Sequence, residues 1–399
     1  MSSPRRVVLL SAFHDYRTAK RGSIQQVADG LVRLGHQVTF VSTRFSRLSR
    51  LSGDSRLPLW DRANRVETVK GVQCYLARTL AHPFQSSNPV LNSAMAFLYR
   101  FYAELPDGRF DSFMREADDV IVESSIAAIY LRRIRRLNPN ARIIYYATDR
   151  LDTVGAHPFV LRRLEQDRAL IHHVSIRSPK MASVFDWAAD RLFRAEFGID
   201  PAPYAAIGPS PYPLGTTSVV SVGSMLFDPT FVQLAATAFP EVAFHVIGCG
   251  TEFDAPANVT VHPEMPFADT LPFVKHATLG AAPYRAAPGA EYLVDSSLKI
   301  AQYEYFGLPV VCPKFAAGET GGRFGYEPGD AASIVAALQG AFAAVGTLAP
   351  KRFLAWEQVA ARILDPLDFA DTSLDRREDD HGGGRMGHSA EPALIIARA

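Results

Sequence analysis

A lysine that is out of place for a helix marks the first candidate for chemistry. The stretch Asp295–Pro313, DSSLKIAQYEYFGLPVVCP, opens with Asp295, Ser296 and Ser297 and stops at Gly307 before an apolar run. Such residues cap helix starts, and glycine ends helices. Capping alone accounts for the serines. It does not account for Lys299, because a cation in the first turn opposes the helix macrodipole. The position makes sense where a phosphate group sits at the helix start, sharing its charge between free N–H groups and the ammonium. Neighbouring apolar runs also end in small, polar or flexible groups. VGSM ends in Gly223, Ser224 and Met225, HVIGCG in paired glycines, and HPEM in Glu264 and Met265. Small residues admit a ligand close to the backbone, and methionine adapts to a flat base. Each piece alone is explained by turn chemistry or packing. Together on one sheet edge they point to a nucleotide site.

Other groups offer proton chemistry. IIYYATD delivers Asp149 to the end of an apolar run. A carboxylate there, facing a cleft, is placed to take a proton from a hydroxyl. Equally, Thr148 or Asp149 starts a helix as its cap. His14 and Asp15 end the first run, and Glu123 ends DVIVES. Residues 44–65, RFSRLSRLSGDSRLPLWDRANR, set six arginines against Asp54 and Asp61, with Phe45, Leu48, Leu51, Leu57, Leu59 and Trp60 between them. A solvated loop satisfies that composition. So does a basic, partly apolar face for anionic lipid headgroups. MAFLYRFYAEL (95–105) suits either a similar face or a core helix.

The elements that must position these groups follow a regular rhythm. Short apolar runs alternate with amphipathic stretches, the pattern of parallel α/β sheets. VVLLSA, HQVTFVST, DDVIVES, RIIYYATD and HHVSIRS form the first set of strands. Helices are expected over IQQVADGLVRLG, AAIYLRRIRRL and FVLRRLEQDRALI. SVVSVGS restarts the rhythm, followed by VAFHVIGCG, NVTVHPE, TLGAAPY and LPVVCP. With 399 residues, 48% of them hydrophobic, the chain exceeds what one core usually serves. The expected division is two facing Rossmann-like domains, 1–208 and 209–350. The joint is GPSPYPLG. A last segment, 351–370, carries a helix returning to the first domain, and a disordered tail covers 371–399. Neither half carries G-x-G-x-x-G after its first strand, which disfavours a dinucleotide dehydrogenase. A net charge of +1 argues against a nucleic-acid partner. Cys74, Cys249 and Cys312 lack metal spacing and suit buried, reduced thiols. The apolar run after Arg5 and Arg6 is too short for a signal peptide. No window reaches the roughly 18 apolar residues of a membrane span.

VGSMLFDP, FHVIG-G, PEM, APY, DSS-K--QY-FGLPVVCP and RFGYEPGD look like the nucleotide-sugar half of a two-domain glycosyltransferase. With LSAFHDYRT, FSRLSRLSGDSRLPL and LAHPF, the chain resembles the bacterial glycolipid 2-beta-glucuronosyltransferases of xanthan-type exopolysaccharide assembly, over roughly residues 5 to 370. That resemblance implies a GT-B fold and an inverting, metal-independent transfer. It implies UDP-glucuronate as donor, no cofactor, and as acceptor a mannose on a polyprenyl-diphosphate-linked oligosaccharide. It implies a peripheral, monotopic enzyme on an anionic membrane surface, the cytoplasmic side of the bacterial inner membrane. By motif, Asp149 matches the catalytic base. Met225, Glu264, Met265 and Tyr284 match the residues around the uridine. Ser296, Ser297, Lys299 and Gln302 match the diphosphate-side helix. Where the family pattern has glycine after the aspartate, this chain has Arg150, a cation placed to lower the base's pKa or reach the sugar carboxylate. The alternatives are a transferase using another UDP-sugar, a nucleotide-sugar epimerase of the same fold, and a silent sugar- or lipid-binding module.

Overall fold

The computed structural model describes residues 3–374 except 20 and 87. Two sheets organise it. The first contains β1 (Arg6–Ser11), β2 (Gln37–Phe45), β3 (Val66–Val69), β4 (Val72–Arg78), β5 (Asp119–Glu123), β6 (Arg142–Ala147), β7 (His173–Ile176) and β8 (Leu192–Arg194). Their spatial order is β3-β4-β2-β1-β5-β6-β7-β8. Only the β3–β4 hairpin is antiparallel. The second contains β9 (Ser218–Val222), β10 (Ala243–Ile247), β11 (Val259–His262), β12 (Leu279–Ala281), β13 (Val310–Pro313) and β14 (Arg323–Tyr326), in the parallel order β11-β10-β9-β12-β13-β14. The central strands are apolar throughout because helices cover both sheet faces, so no alternation develops.

In each sheet the first strand is the switch point. The chain builds outward from β1 through β2 and β4, then returns to add β5 and β6 on the other side. It does the same around β9. Ligands of such sheets bind beyond the strands' carboxyl ends at that point. Both edges therefore deserve chemistry, and the two edges face each other.

Four helices matter below: α1 (Ser23–Arg33), α2 (Pro89–Tyr102), α3 (Leu298–Tyr305) and α4 (Trp356–Leu364). The expected helix at 127–137 is split. Ile126–Tyr130 forms a tight 3-10 turn, capped by Ser125, before an α-helix runs over Leu131–Leu137. Between the sheets, Tyr204 packs on Leu271 and against the rings of Tyr305 and Phe306. That connection therefore leans on the second sheet's helices before residue 208.

The last helix crosses back. Trp356, Val359, Ala360 and Ile363 of α4 join the core that α1 shares with β1 and β2. Gly30 lets the two helices touch: a Cβ there would lie 2.4 Å from the Trp356 carbonyl oxygen. His173 meets the Ile363 carbonyl at 2.8 Å, and Arg142 reaches Asp365 at 3.0 Å. The chain stays packed through Thr372, which is buried; the remainder of the expected tail, 375–399, lies outside the described residues.

The segment 44–65 is more folded than a solvated loop. Phe45 and Leu59 are buried with Leu76 in a small core of their own. Arg56 is buried too, paired with Asp54 at 2.8 Å and donating to the carbonyls of Thr43 and Arg44. Only Arg47, Arg50, Arg62 and Arg65 of its six arginines are exposed. The three cysteines are buried and unpaired.

Gly30→Ala is expected to lower stability by about 1–3 kcal/mol, since the α1–α4 contact has no room for a methyl. A thermal unfolding curve checks it.

Candidate active site

α3 starts one residue later than capping preferences suggest. Leu293–Ser296 forms a separate helical turn, and the backbone opens at Ser297. Ser297 is the cap, accepting from the Ile300 N–H at 3.2 Å, and its hydroxyl also meets that of Tyr284. Asp295 turns away to Ser178, at 2.7 Å, and Arg194. Ser296 keeps a buried hydroxyl oxygen with no hydrogen-bond partner.

Lys299 sits in the first turn of α3 and is 8% exposed. Its ammonium lies 3.5 Å from the Gly223 carbonyl and 5.0 Å from the centre of the Tyr284 ring. No carboxylate among the described residues pairs with it. Burial pulls its pKa down to about 7. An ammonium is seldom buried without an anion. A helix start, an orphaned serine hydroxyl and an unneutralised lysine together make an anion site.

These groups line a cleft of about 390 Å³ between the carboxyl ends of the two sheets. Met225, Glu264, Met265, Tyr284, Ser296, Ser297, Lys299 and Gln302 all line it, as expected from the sequence. Gly248 turns the chain after β10 at a φ of +62°, and a Cβ there would lie 3.3 Å from Glu264 Cα. Gln302 is one turn further along α3, hydrogen-bonded to Tyr204 at 3.2 Å. A larger cavity, about 1290 Å³, also separates the domains but touches neither Asp149 nor Lys299.

The opposite wall belongs to the first sheet. Asp149 follows β6, with its own N–H and that of Thr148 both donating to Ser124 Oγ at 3.1 Å. One carboxylate oxygen accepts from the Tyr292 hydroxyl at 2.9 Å, and the other from Thr148 at 3.3 Å. Burial raises the Asp149 pKa, while the Tyr292 hydrogen bond and the Arg177 charge oppose the rise. His14 and Glu123, from the ends of β1 and β5, pair at 3.1 Å in the same cleft. Burial pulls the His14 pKa down, but the Glu123 contacts outweigh it and the net shift is upward. Asp15 is taken by Arg17 at 2.9 Å. Arg150 pairs with Asp152 at 2.6 Å rather than with Asp149, and packs over Gly289. The cation acting on Asp149 is instead Arg177, buried against the rings of Tyr146 and Phe197. Sequence inspection missed Tyr292 and Arg177. Tyr292 precedes the Lys299 stretch and carried no local sign of reaching across the cleft.

The sequence of residues 9–177 matches the family described as glucuronosyltransferase GumK, N-terminal domain. The chain is 40% identical over 369 residues to the UDP-glucuronate:glycolipid 2-beta-glucuronosyltransferase of Xanthomonas campestris pv. campestris, covering 92% of this chain and 91% of that one. The chain belongs to this glucuronosyltransferase family. It is an enzyme, a glycosyltransferase, and the epimerase and silent-module alternatives fall away. Its fold is GT-B. OtsA, in an apo structure, superposes with a TM-score of 0.57 at 11% identity, covering 91% of this chain and 95% of that one. The alpha,alpha-trehalose 6-phosphate synthase of Burkholderia multivorans gives 0.55 at 13%, covering 92% and 94%. At those identities the likeness speaks for the fold alone.

With UDP as probe, Lys299→Met is expected to weaken binding about tenfold or more, the loss of one charge-assisted hydrogen bond. A bound anion raises the ammonium's pKa above its free value near 7. The ratio of wild-type to variant affinity, in which the probe's own phosphate titration at about pH 6 cancels, should therefore be flat below that pH and fall above it. Calorimetric titration across that range checks both.

Proposed function

We propose that the enzyme moves glucuronate from UDP-glucuronate to a mannose of a polyprenyl-diphosphate-linked oligosaccharide, with inversion and without a metal. The observation that carries the reading is the facing pair across one cleft: an ionisable carboxylate on the first sheet's edge, and an unneutralised ammonium at a helix start on the second.

The donor's charge selects the second domain. Lys299 and the free N–H groups of α3 hold the diphosphate, with the Ser296 hydroxyl as a further donor. Met225 and Met265 pack on the uracil, and Glu264 accepts from hydroxyls of the ribose. Tyr284 supports the site from beneath by fixing Ser297. As the bond from the anomeric carbon to UDP breaks, negative charge gathers on the leaving diphosphate. The ammonium and the helix dipole stabilise it there, which is the role a metal serves elsewhere.

Asp149 serves as the base. Its oxygen facing Thr148 keeps lone-pair capacity, while Tyr292 holds the other oxygen. The carboxylate takes the proton of the acceptor hydroxyl as that oxygen attacks the anomeric carbon from the face opposite UDP. One displacement on the opposite face inverts the configuration. The base must be ionised, so activity falls as pH drops through the Asp149 pKa, which burial has raised.

A lipid-borne acceptor requires the enzyme to sit at a membrane surface. No helix among the described residues is long and apolar enough to cross one. The α2 helix instead exposes Val90, Ala94, Phe97 and Phe101, the spacing of one helical face, with the rings of the two phenylalanines 4.5 Å apart. Phe97 is 66% exposed and Val90 80%. Arg47, Arg50 and Arg100 are exposed cations on the same domain. That combination suits shallow seating in anionic headgroups, on the cytoplasmic leaflet where nucleotide sugars are made available.

Asp149→Asn is expected to cut transfer by about 10²–10⁴-fold and leave UDP affinity unchanged. Tyr292→Phe removes a hydrogen bond to the ionised form, so the acidic limb of the pH–rate profile should move to higher pH. Radiolabel transfer from UDP-glucuronate to a lipid-linked mannosyl acceptor checks both; undiminished turnover by Asp149→Asn would assign the base elsewhere. Phe97→Ser with Arg47→Glu and Arg50→Glu is expected to abolish co-sedimentation with phosphatidylglycerol vesicles while soluble UDP binding persists.

A further inference from the structure

Arg44 is held in a conformation that side chains disfavour, and no described carboxylate forms an ion pair with it. Its φ is +54°, in the left-handed region that costs an L-residue free energy. The pairing of β2 with β4 slips between Ser42 and Phe45, so Arg44 lies in a bulge at the carboxyl end of β2. The backbone is pinned from both sides. Its N–H donates to the Tyr102 hydroxyl of α2 at 3.0 Å, and its carbonyl accepts from Arg56 at 3.0 Å.

The side chain this geometry presents is a half-buried guanidinium lying 4.9 Å over the Phe13 ring. Its Nε is buried without a hydrogen-bond partner, and no described carboxylate comes within ion-pair distance. The surroundings add positive charge. Arg56 lies alongside, and its own partner Asp54 is fully engaged by it. Buried His82 stays neutral because burial, Arg44 and Arg56 all push its pKa down, to about 4. Tyr99 and Tyr102 are the remaining titratable neighbours and carry no charge at neutral pH. A strained, over-determined, unneutralised arginine beside a second buried arginine is a site for an oxyanion.

Its place on the sheet identifies which oxyanion. The strand order β2-β1-β5-β6 separates Arg44 from Asp149 by three interstrand steps, roughly 14 Å along the carboxyl edge. His14 and Glu123 stand between them, at the ends of β1 and β5. Beyond Arg44, through Tyr102, is α2 with its exposed apolar face. We propose that Arg44 holds a phosphate oxyanion of the lipid-borne acceptor. The acceptor then lies along this edge, its lipid toward α2, its diphosphate at Arg44, and its reacting sugar at Asp149. The inference rests on the functional reading above and adds a subsite to it.

Arg44→Gly tests it without threatening the fold, since glycine relieves the strain and keeps both backbone hydrogen bonds. Binding of a short-chain prenyl diphosphate in detergent should weaken at least about tenfold in the variant, with UDP binding unchanged. In transfer assays the KM for the diphosphate-linked acceptor should rise by a similar factor while kcat and the donor KM hold. The same oligosaccharide without its diphosphate should not distinguish variant from wild type. Unchanged prenyl diphosphate binding overturns the proposal, as does an equal loss on both acceptors. Loss of phosphatidylglycerol vesicle binding with prenyl diphosphate binding intact also overturns it, in favour of a headgroup contact. If wild type transfers nothing from UDP-glucuronate, the functional reading fails, and the prenyl diphosphate titration alone still decides Arg44.

Discussion

A buried ammonium that no described carboxylate pairs with is the constraint around which the second domain's edge is built. The helix that carries Lys299, α3, is locked in place. Tyr303 of the same helix lies under Gly280 so closely that a Cβ there would sit 2.3 Å from the ring. The helix start is fixed by the Ser297 cap and the Tyr284 hydroxyl behind it. Burial of the ammonium without a paired charge therefore carries an electrostatic penalty. Between about 7 and the ordinary lysine value of 10.5 the unfolded chain binds this proton more tightly, so stability contributed by this group rises with pH across that window. An anion at the helix start removes the penalty.

The proton-accepting side is arranged by the opposite logic. Asp149 is reached from both domains: its main chain is pinned by Ser124 from β5's end, while its carboxylate takes a hydroxyl from Tyr292 of the second domain. Further contacts cross the same gap, from Thr153 to the Pro288 carbonyl at 2.6 Å and from Ser178 to Asp295 at 2.7 Å. Burial alone would favour a neutral acid. The tyrosine hydroxyl and the buried Arg177 oppose that, favouring the charged form without a direct ion pair to the carboxylate. The Asp149 carboxylate acquires this environment only where the two domains meet.

Much of this was legible in the residues. Apolar runs without alternation signalled parallel strands, and both sheets follow. Lys299 stood out because it violates a local rule, and a violation with no local compensation points to a ligand. What stayed hidden is non-local. Tyr292 is 143 residues from its partner Asp149, and no periodicity links them. Arg177 looks like any arginine after a strand until Tyr146 and Phe197 enclose it. Arg150 drew notice because it adjoins Asp149 in sequence, yet Asp152 lies nearer to its guanidinium. In the 44–65 segment composition did not separate Arg56, which donates to backbone carbonyls in a buried corner, from the exposed Arg47, Arg50, Arg62 and Arg65. Ser297 rather than Asp295 caps α3, because Asp295 has stronger partners in the other domain.

Backbone strain marks the same two edges independently of charge. Four residues other than glycine adopt a left-handed φ among those described: Arg44, Asn64, Lys70 and Leu226. Lys70 lies in the β3–β4 turn, and Asn64 exchanges hydrogen bonds with Arg78, so local geometry explains both. Arg44 and Leu226 have no such excuse. Arg44 lies in the bulge at the carboxyl end of β2, beside a switch point, and Leu226 follows the carboxyl end of β9, at the other. Leu226 follows Met225 in the cleft wall, and its carbonyl is held by the Arg285 N–H at 2.7 Å. A leucine gains nothing locally from that conformation. Long parallel strands buried on both faces supply stability enough to tolerate it. The two left-handed residues without a turn to explain them thus lie at the carboxyl edges of the two sheets, one on each.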